Sequence, residues 1–261
     1  MLENYKKLCV LFYDTDKPFP PPEEYLFYLS YCEYVKNDIL EPMCGSGRYL
    51  IPLTRAGFKI DAFDASQFML SSLHSRIISE DLCQGDFFYT FSYFKDYIFE
   101  KKYNLIFIPS ASFGLLTSRD EAVFALQKIY DSLHENGFFV FEVETSSIFR
   151  IGGSEFEIIS NKILSIPNTD SAILGSFVNN SFKNGVLEIL CRYDFIQNNR
   201  FSFSEQEKIF VRLYSLEEIS QLLFSVGFLK FKIYKNFQKE LLLDGDPLPE
   251  VLIIECKKYK Q

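Results

Sequence analysis

The stretch Ile39-Leu40-Glu41-Pro42-Met43-Cys44-Gly45-Ser46-Gly47-Arg48 constrains the fold more than any other. An apolar run ends in an acid, turns through Gly-Ser-Gly, and gives way to an amphipathic segment from Tyr49 to Ala56. That is the pattern of a strand, a glycine turn and a helix. Gly45 and Gly47 carry no Cβ, so the chain can reverse sharply and a ligand can approach its backbone. The new helix would turn free N–H groups toward that ligand. Taken alone, a Gly-x-Gly turn describes an ordinary strand-to-helix connection equally well.

Three later segments narrow the choice. Ile60-Asp61-Ala62-Phe63-Asp64 predicts a second apolar strand ending in an acid, where a carboxylate can accept both ribose hydroxyls of a nucleoside. Cys83-Gln84-Gly85-Asp86-Phe87 predicts a third strand ending in Asp86, and Leu105 to Ser110 a fourth that runs into a small-residue loop. Strands tipped with acids suit a neutral or cationic nucleoside better than a pyrophosphate. Glu41, beside the turn, would repel phosphate and attract an ammonium.

These residues resemble the class I S-adenosylmethionine-dependent methyltransferases. The matching pieces are the Leu-Glu-x-x-Cys-Gly-Ser-Gly-Arg turn, Asp64 to Leu70, Gln84 to Asp86, and Leu133 to Phe139. They run in the family's order from residue 38 to about 145, and the tail from Tyr214 also fits. One departure stands out: the family usually has a glycine where this chain has Met43. The resemblance implies a Rossmann-like α/β fold with a seven-stranded sheet in the order 3-2-1-4-5-7-6, helices on both faces, and an inserted antiparallel β lid. A Rossmann oxidoreductase is the competing α/β reading. It expects Gly-x-Gly-x-x-Gly, and here the third position after Gly47 is Leu50.

Composition excludes other classes. A chain of 261 residues accommodates one large α/β domain, with or without an inserted lid. A net charge of −8 argues against a nucleic-acid partner, which calls for a basic surface. The six cysteines form no Cys-x-x-Cys pair and only two histidines accompany them, so no metal site is expected. Scattered free thiols suit a reducing, cytoplasmic setting. Met1 to Val10 does not read as a signal peptide, and no run approaches eighteen apolar residues, so no membrane span is expected.

Along the chain, residues 1–22 are predicted to be irregular, with Pro22-Glu23-Glu24 opening a helix that runs to about Lys36. Residues 1–37 thus form an N-terminal segment and helix. Strands are predicted near 38–43, 59–64, 82–85, 103–109 and 137–144. Helices are predicted near 47–57, 66–79 and 119–134, with a weaker signal near 92–100. Ser66, Ser118 and Ser215 are expected helix caps, the last two with a glutamate three residues on. Residues 146–213 switch to period-two alternation, with Asn184-Gly185 and Asn198-Asn199 as turn signals, which predicts three or four antiparallel strands. They could form a lid or a homodimer interface. The core, 38–145, resumes at 214–261 with a capped helix and a final antiparallel pair of strands.

The resemblance implies S-adenosylmethionine as cofactor and a small-molecule methyl acceptor. It places Glu41, Gly45 and Gly47 around the amino-acid part of the cofactor and Asp64 on the ribose. Ala65 and Met69 would lie near the adenine, Asp86 on its amine, Phe87 beside its ring, and Ser110 and Ala111 under the sulfonium. Arg48 could pair with Glu41 or sit at the helix start. For the acceptor, Glu144 at the end of the fifth strand and Tyr13 are the candidates. Tyr13 and Asp14 match a Tyr-Asp pair that lines the site in similar methyltransferases. The acids near the site favour N-methylation slightly over O-methylation. A cofactor-binding module without turnover is the alternative.

Overall fold

The computed structural model describes residues 5–82, 87–151 and 159–259. In chain order, α1 (Lys7–Asp16) and α2 (Pro22–Val35) precede an alternation of β1 (Ile39–Pro42), α3 (Leu50–Arg55), β2 (Ile60–Asp64), α4 (Gln67–Ser79) and β3 (Phe87–Phe91). Then come β4 (Tyr103–Ile108), α5 (Arg119–Ser132) and β5 (Leu133–Glu144). Four long strands follow: β6 (Ile159–Ser165), β7 (Ser171–Lys183), β8 (Val186–Gln197) and β9 (Arg200–Arg212). The chain closes with α6 (Leu216–Ser225), β10 (Phe231–Tyr234) and β11 (Val251–Lys257).

Seven strands form one sheet in the order β10-β11-β5-β4-β1-β2-β3. Numbered by core strand alone, this is 3-2-1-4-5-7-6. The five strands from β3 to β5 are parallel, and β11 runs antiparallel to both β5 and β10. Leu105 to Ile108 are all buried, because helices cover both faces of the sheet and its central strands never meet water. One aromatic-rich cluster packs α5 and α6 against one face, through Phe113, Phe139, Phe141 and Phe228. The other packs α2, α3 and α4 against the opposite face, through Phe27, Tyr28, Leu73 and Phe107.

Ser66 caps α4 by accepting the Met69 N–H at 3.2 Å, and Ser118 with Glu121 forms a full capping box on α5. Ser215 caps α6 at Glu218, but the Glu218 side chain turns away to bind Arg212. Four sequence expectations differ. Lys7–Asp16 is a helix instead of an irregular lead-in, since Leu8, Cys9 and Phe12 bury one side of it. No helix forms near 92–100, where Phe94, Tyr97 and Phe99 instead gather around the Phe63 ring. The fifth strand starts at Leu133 instead of near 137, with Gly137 inside it, and its register against β4 jumps from Tyr103/Leu133 to Leu105/Phe138. The third strand lies at 87–91 instead of 82–85.

The second sheet, β6-β7-β8-β9, is antiparallel throughout. Two of its three hairpin turns are the predicted ones: Asn184-Gly185 and Asn198-Asn199 both take positive φ at each residue, as a twisted two-residue turn requires. α1 lies against this sheet. Phe12 rests on Gly175, where a Cβ would sit 2.6 Å from the ring, and meets Phe177 and Tyr193 at ring centroid distances of 5.4 and 5.5 Å. Lys6 supplies no side-chain cap for α1. The second sheet caps it instead, as the Leu8 N–H donates to Glu205 Oε2 at 2.7 Å and the Tyr5 N–H to Glu207 Oε2 at 2.5 Å. No helix among the described residues is long and apolar enough to cross a membrane.

A Gly175→Val substitution is expected to lift Phe12 from the sheet and destabilise the fold by about 1–3 kcal/mol. Urea unfolding measures the loss, and limited proteolysis should show earlier cleavage before residue 17. An unchanged urea midpoint would mean that α1 is not seated on Gly175.

Candidate active site

The carboxyl ends of β1, β2, β4 and β5 open into a cavity of about 550 Å³, within the range of about 300–1,000 Å³ typical of small-ligand sites. The glycine turn, Asp64, Ser110 and Glu144 form its floor. Tyr5 and Tyr13 from the N-terminal segment, with Ile209, Phe210 and Val211 from β9, form its roof. The second sheet and α1 therefore complete a cavity that the core sheet begins.

The glycine turn is held from below. Asp64 Oδ2 accepts the Gly45 N–H at 2.8 Å while Oδ1 accepts the Ser66 N–H at 2.7 Å, so one carboxylate ties the turn to the end of β2 and the start of α4. Asp14 ties it from above, accepting Ser46 Oγ at 2.5 Å and also Ser72 Oγ. Gly45 lines the cavity at φ +55°. Gly47, at φ +81°, faces away from it; a Cβ there would lie 2.5 Å from Leu73 Cδ1, so this glycine sets how closely α4 approaches the turn. Met43 takes φ +59° although it has a side chain. The turn keeps its left-handed shape at the position of the missing glycine at a cost of about 1–2 kcal/mol, and Met43 packs against the core.

The cavity is acidic. Glu41 is buried, and its Oε2 has no hydrogen-bond partner among the described residues. Burial pushes its carboxyl well above the usual range, the neighbouring Asp64 adds to this, and the Leu50 N–H opposes it. Asp64 is also raised by burial, against the hydrogen bonds from Ser66, Gly45 and Ala65. Glu144 is raised by burial, with Lys17 opposing and Glu250 reinforcing. Glu121 lies on the same wall. Arg48 is the one basic side chain on the lining among the described residues. It sits at the helix start, just ahead of α3, and does not pair with Glu41: its Nη1 donates to Ser110 Oγ at 3.1 Å and its Nε to the Phe19 carbonyl at 3.3 Å. Burial raises the Tyr13 hydroxyl, and the adjacent Arg48 guanidinium draws it back down.

Of the site residues read from the sequence, Tyr13, Glu41, Gly45, Asp64, Ala65, Met69, Ser110, Ala111 and Glu144 meet in this cavity. Phe87 does not. It opens β3 and pairs with Ile60 at the opposite end of the sheet, because the strand starts five residues later than predicted. Asp86 lies outside the described residues. The residues that follow β3 into the cavity are Ser92, Tyr93 and Phe94. Apolar alternation alone did not separate Leu82–Gly85 from Phe87–Phe91. The aromatic run Phe87-Phe88-Tyr89-Thr90-Phe91 was the available strand signal. Tyr5, Leu115, Leu116, Thr117 and Ile209 to Val211 also line the cavity, and only the tertiary placement of the second sheet reveals most of them.

By sequence, the chain matches no protein-family model and no curated protein. By structure it is similar to a S-adenosylmethionine-dependent methyltransferase from Clostridium acetobutylicum, at 17% identity and a TM-score of 0.76, covering 96% of this chain and 97% of that one. It is also similar to the sugar N-methyltransferase KedS8 from Streptoalloteichus, at 13% identity and 0.72, over 96% and 92% of the two chains. A third match is CalS10, an amino pentose methyltransferase from Micromonospora echinaspora, at 10% identity and 0.68, over 99% and 100%. The fold is that of the class I S-adenosylmethionine-dependent methyltransferases, second sheet included.

Glu41 yields a sign-definite test. Its folded carboxyl holds a proton more tightly than the unfolded one, so its cost to stability is absent below the unfolded range, near pH 4, and grows as pH rises. Glu41→Gln should therefore raise the unfolding free energy at pH 8 by about 1–3 kcal/mol, with the gain vanishing near pH 4. Urea unfolding at the two pH values checks it. A loss of stability at pH 8 would show that Glu41 Oε2 has an internal partner.

Proposed function

We propose that the protein is a S-adenosylmethionine-dependent methyltransferase that acts on the amino group of a small molecule. The observation that supports this best is the buried, unpartnered Glu41 Oε2 beside the glycine turn, within an acidic cavity on this fold. A carboxylate oxygen left without a partner at a ligand-sized cavity suits a cationic group, and the amino-acid portion of the cofactor has one. The donor set fits the rest of that molecule: Asp64 suits the ribose hydroxyls, and Met69 with Tyr93 offers apolar and aromatic surface for the base. Arg48 suits a carboxylate. When bound, the cofactor supplies a methyl group already activated by a sulfonium charge.

The chain's own work is then to bind, orient and exclude water. Tyr5, Tyr13 and β9 close the cavity from above, and we assign the second sheet the role of a lid over the acceptor. Glu144 and Glu121 make the acceptor wall anionic, between apolar Leu116, Phe210 and Val211. An ammonium is attracted there, and Glu144, raised by burial, is suited to take the proton that an amine must lose. Tyr13 orients the acceptor from the roof. Two structural neighbours, a sugar N-methyltransferase and an amino pentose methyltransferase, make amino sugars the first acceptors to try.

Transfer from methyl-labelled S-adenosylmethionine to a panel of amino sugars, simple amines, phenols and carboxylates tests the proposal by mass spectrometry. Methylated amines are expected, with kcat rising with pH as Glu144 loses its proton. Glu144→Gln should lower kcat about a hundredfold with little change in the KM for the methyl donor, and Tyr13→Phe should raise the KM for the acceptor. Transfer to oxygen acceptors alone would overturn the amine assignment, and full activity in both variants would remove these two roles.

A further inference from the structure

Glu142 does not line the cavity, yet it is buried in β5 beneath the cavity floor. Its Oε1 accepts the Tyr28 hydroxyl at 2.6 Å, and the backbone N–H groups of Ser110 and Ala111 lie close enough to its carboxylate to favour the charged form. Those two residues, at φ +57° and +53°, form a consecutive left-handed pair with side chains at both positions. Such a pair is costly and persists only where its surroundings hold it. Two successive amide groups aimed at one anion make a small anion-binding nest. Here the anion is a side chain of the protein itself. Ser110 in turn accepts Arg48 Nη1 at 3.1 Å, so the arrangement continues from Glu142 through Ser110 to the basic side chain on the cavity wall.

We propose that Glu142 is a positioning residue for the cofactor: its carboxylate clamps the Ser110–Ala111 turn and, through Ser110 and Arg48, fixes one end of the cavity. This rests on the reading of the cavity as a S-adenosylmethionine site. The groups that face Glu142 are few. α2 presents Tyr28 and Glu24, and Tyr49, just ahead of α3, donates to Glu24. β4 presents Phe107, which meets the Tyr28 ring, and β11 presents Ile253 opposite Glu142. No basic side chain among the described residues bonds to it.

Burial raises the Glu142 carboxyl to about 7, with Glu24 adding to the rise and Tyr28 and the two amides opposing it. The clamp therefore titrates near neutrality. As pH falls through 7 the carboxylate is lost and the turn loosens, so cofactor affinity falls. Fold stability moves the other way. The folded chain holds this proton more tightly than the unfolded one, so the group costs stability as pH rises from the ordinary 4.5 toward 7. Opposite slopes for binding and for stability separate a positioning role from a merely structural one.

The test uses the full chain, S-adenosylhomocysteine as the probe, and the variants Glu142→Gln, Glu142→Ala and Tyr28→Phe. Calorimetry gives the Kd between pH 6 and 8, and amide hydrogen exchange reports on Ser110 and Ala111 without ligand. The wild type is expected to bind about tenfold more tightly at pH 8 than at pH 6. Glu142→Gln should bind about tenfold more weakly at pH 8, with a shallower pH profile than the wild type because Glu41 and Asp64 still titrate, a higher unfolding midpoint and faster exchange at both amides. If Glu142→Ala fails to fold, Glu142→Gln and Tyr28→Phe carry the same comparison. Wild-type exchange at both amides in the folded Glu142 variants overturns the clamp, whatever the ligand does. Faster exchange with an unchanged Kd profile overturns its link to the cofactor. If the wild type binds no S-adenosylhomocysteine at any pH, the cofactor reading fails and with it the positioning role; the exchange data then decide the clamp alone.

Discussion

The carboxylate of Asp64 is the contact on which the cavity depends. It lies at the end of β2 and reaches across to the Gly45 N–H, so the turn after β1 is fixed by the neighbouring strand. The parallel pairing of β1 and β2 brings the two ends side by side, from Ile39 opposite Ile60 to Pro42 opposite Phe63. That pairing places Glu41 and Asp64 in one low-dielectric pocket, where the Asp64 charge adds to the cost of ionising Glu41. A protein interior ordinarily pairs or hydrogen-bonds such charges. Here one oxygen is left over, and the cavity is where a partner can come from.

The upper half of the cavity is built from a different part of the chain. β9 arrives from the inserted sheet, and Arg212 at its end binds Glu218 on α6 and the Thr117 carbonyl, donating to the latter at 3.0 Å. This fastens the second sheet to the core beside the cavity. α1 is fastened on two sides. Glu205 and Glu207 hold its start to the second sheet, and Asp14 holds its end to the glycine turn. Floor and roof are thus linked through side chains that also terminate helices or turns. Closure of the cavity follows from how the secondary structure ends.

The core was legible because its signals are local. Glycine after an apolar run, serine before a helix and Asn-Gly between alternating strands each act within a few residues, and each formed where the sequence placed it. The third strand was not, because Cys83 to Asp86 ends in an acid like the strands before it, whereas the segment that pairs with β2 is Phe87–Phe91. That error carried Phe87 with it, while Ser92 to Phe94 went unnoticed. The α1 helix was missed for a related reason. Its hydrophobic side is satisfied by a sheet nearly two hundred residues away, as in the bond from the Tyr193 hydroxyl to Cys9. Glu142 and Glu144 looked alike in sequence, two positions apart on one strand. Period two, which puts them on the same side of the sheet, does not say that one ends under the cavity floor and the other on its wall.

The central claim is that this cavity holds S-adenosylmethionine. Thermal unfolding with S-adenosylmethionine, S-adenosylhomocysteine and NADH in parallel tests it most directly. A ligand at a hundredfold excess over its Kd stabilises the folded state by about 2.7 kcal/mol, which raises the midpoint by several degrees in a domain of this size. The account predicts that rise with the two adenosyl ligands and none with NADH. A rise with NADH alone, or no rise with either adenosyl ligand, would contradict it.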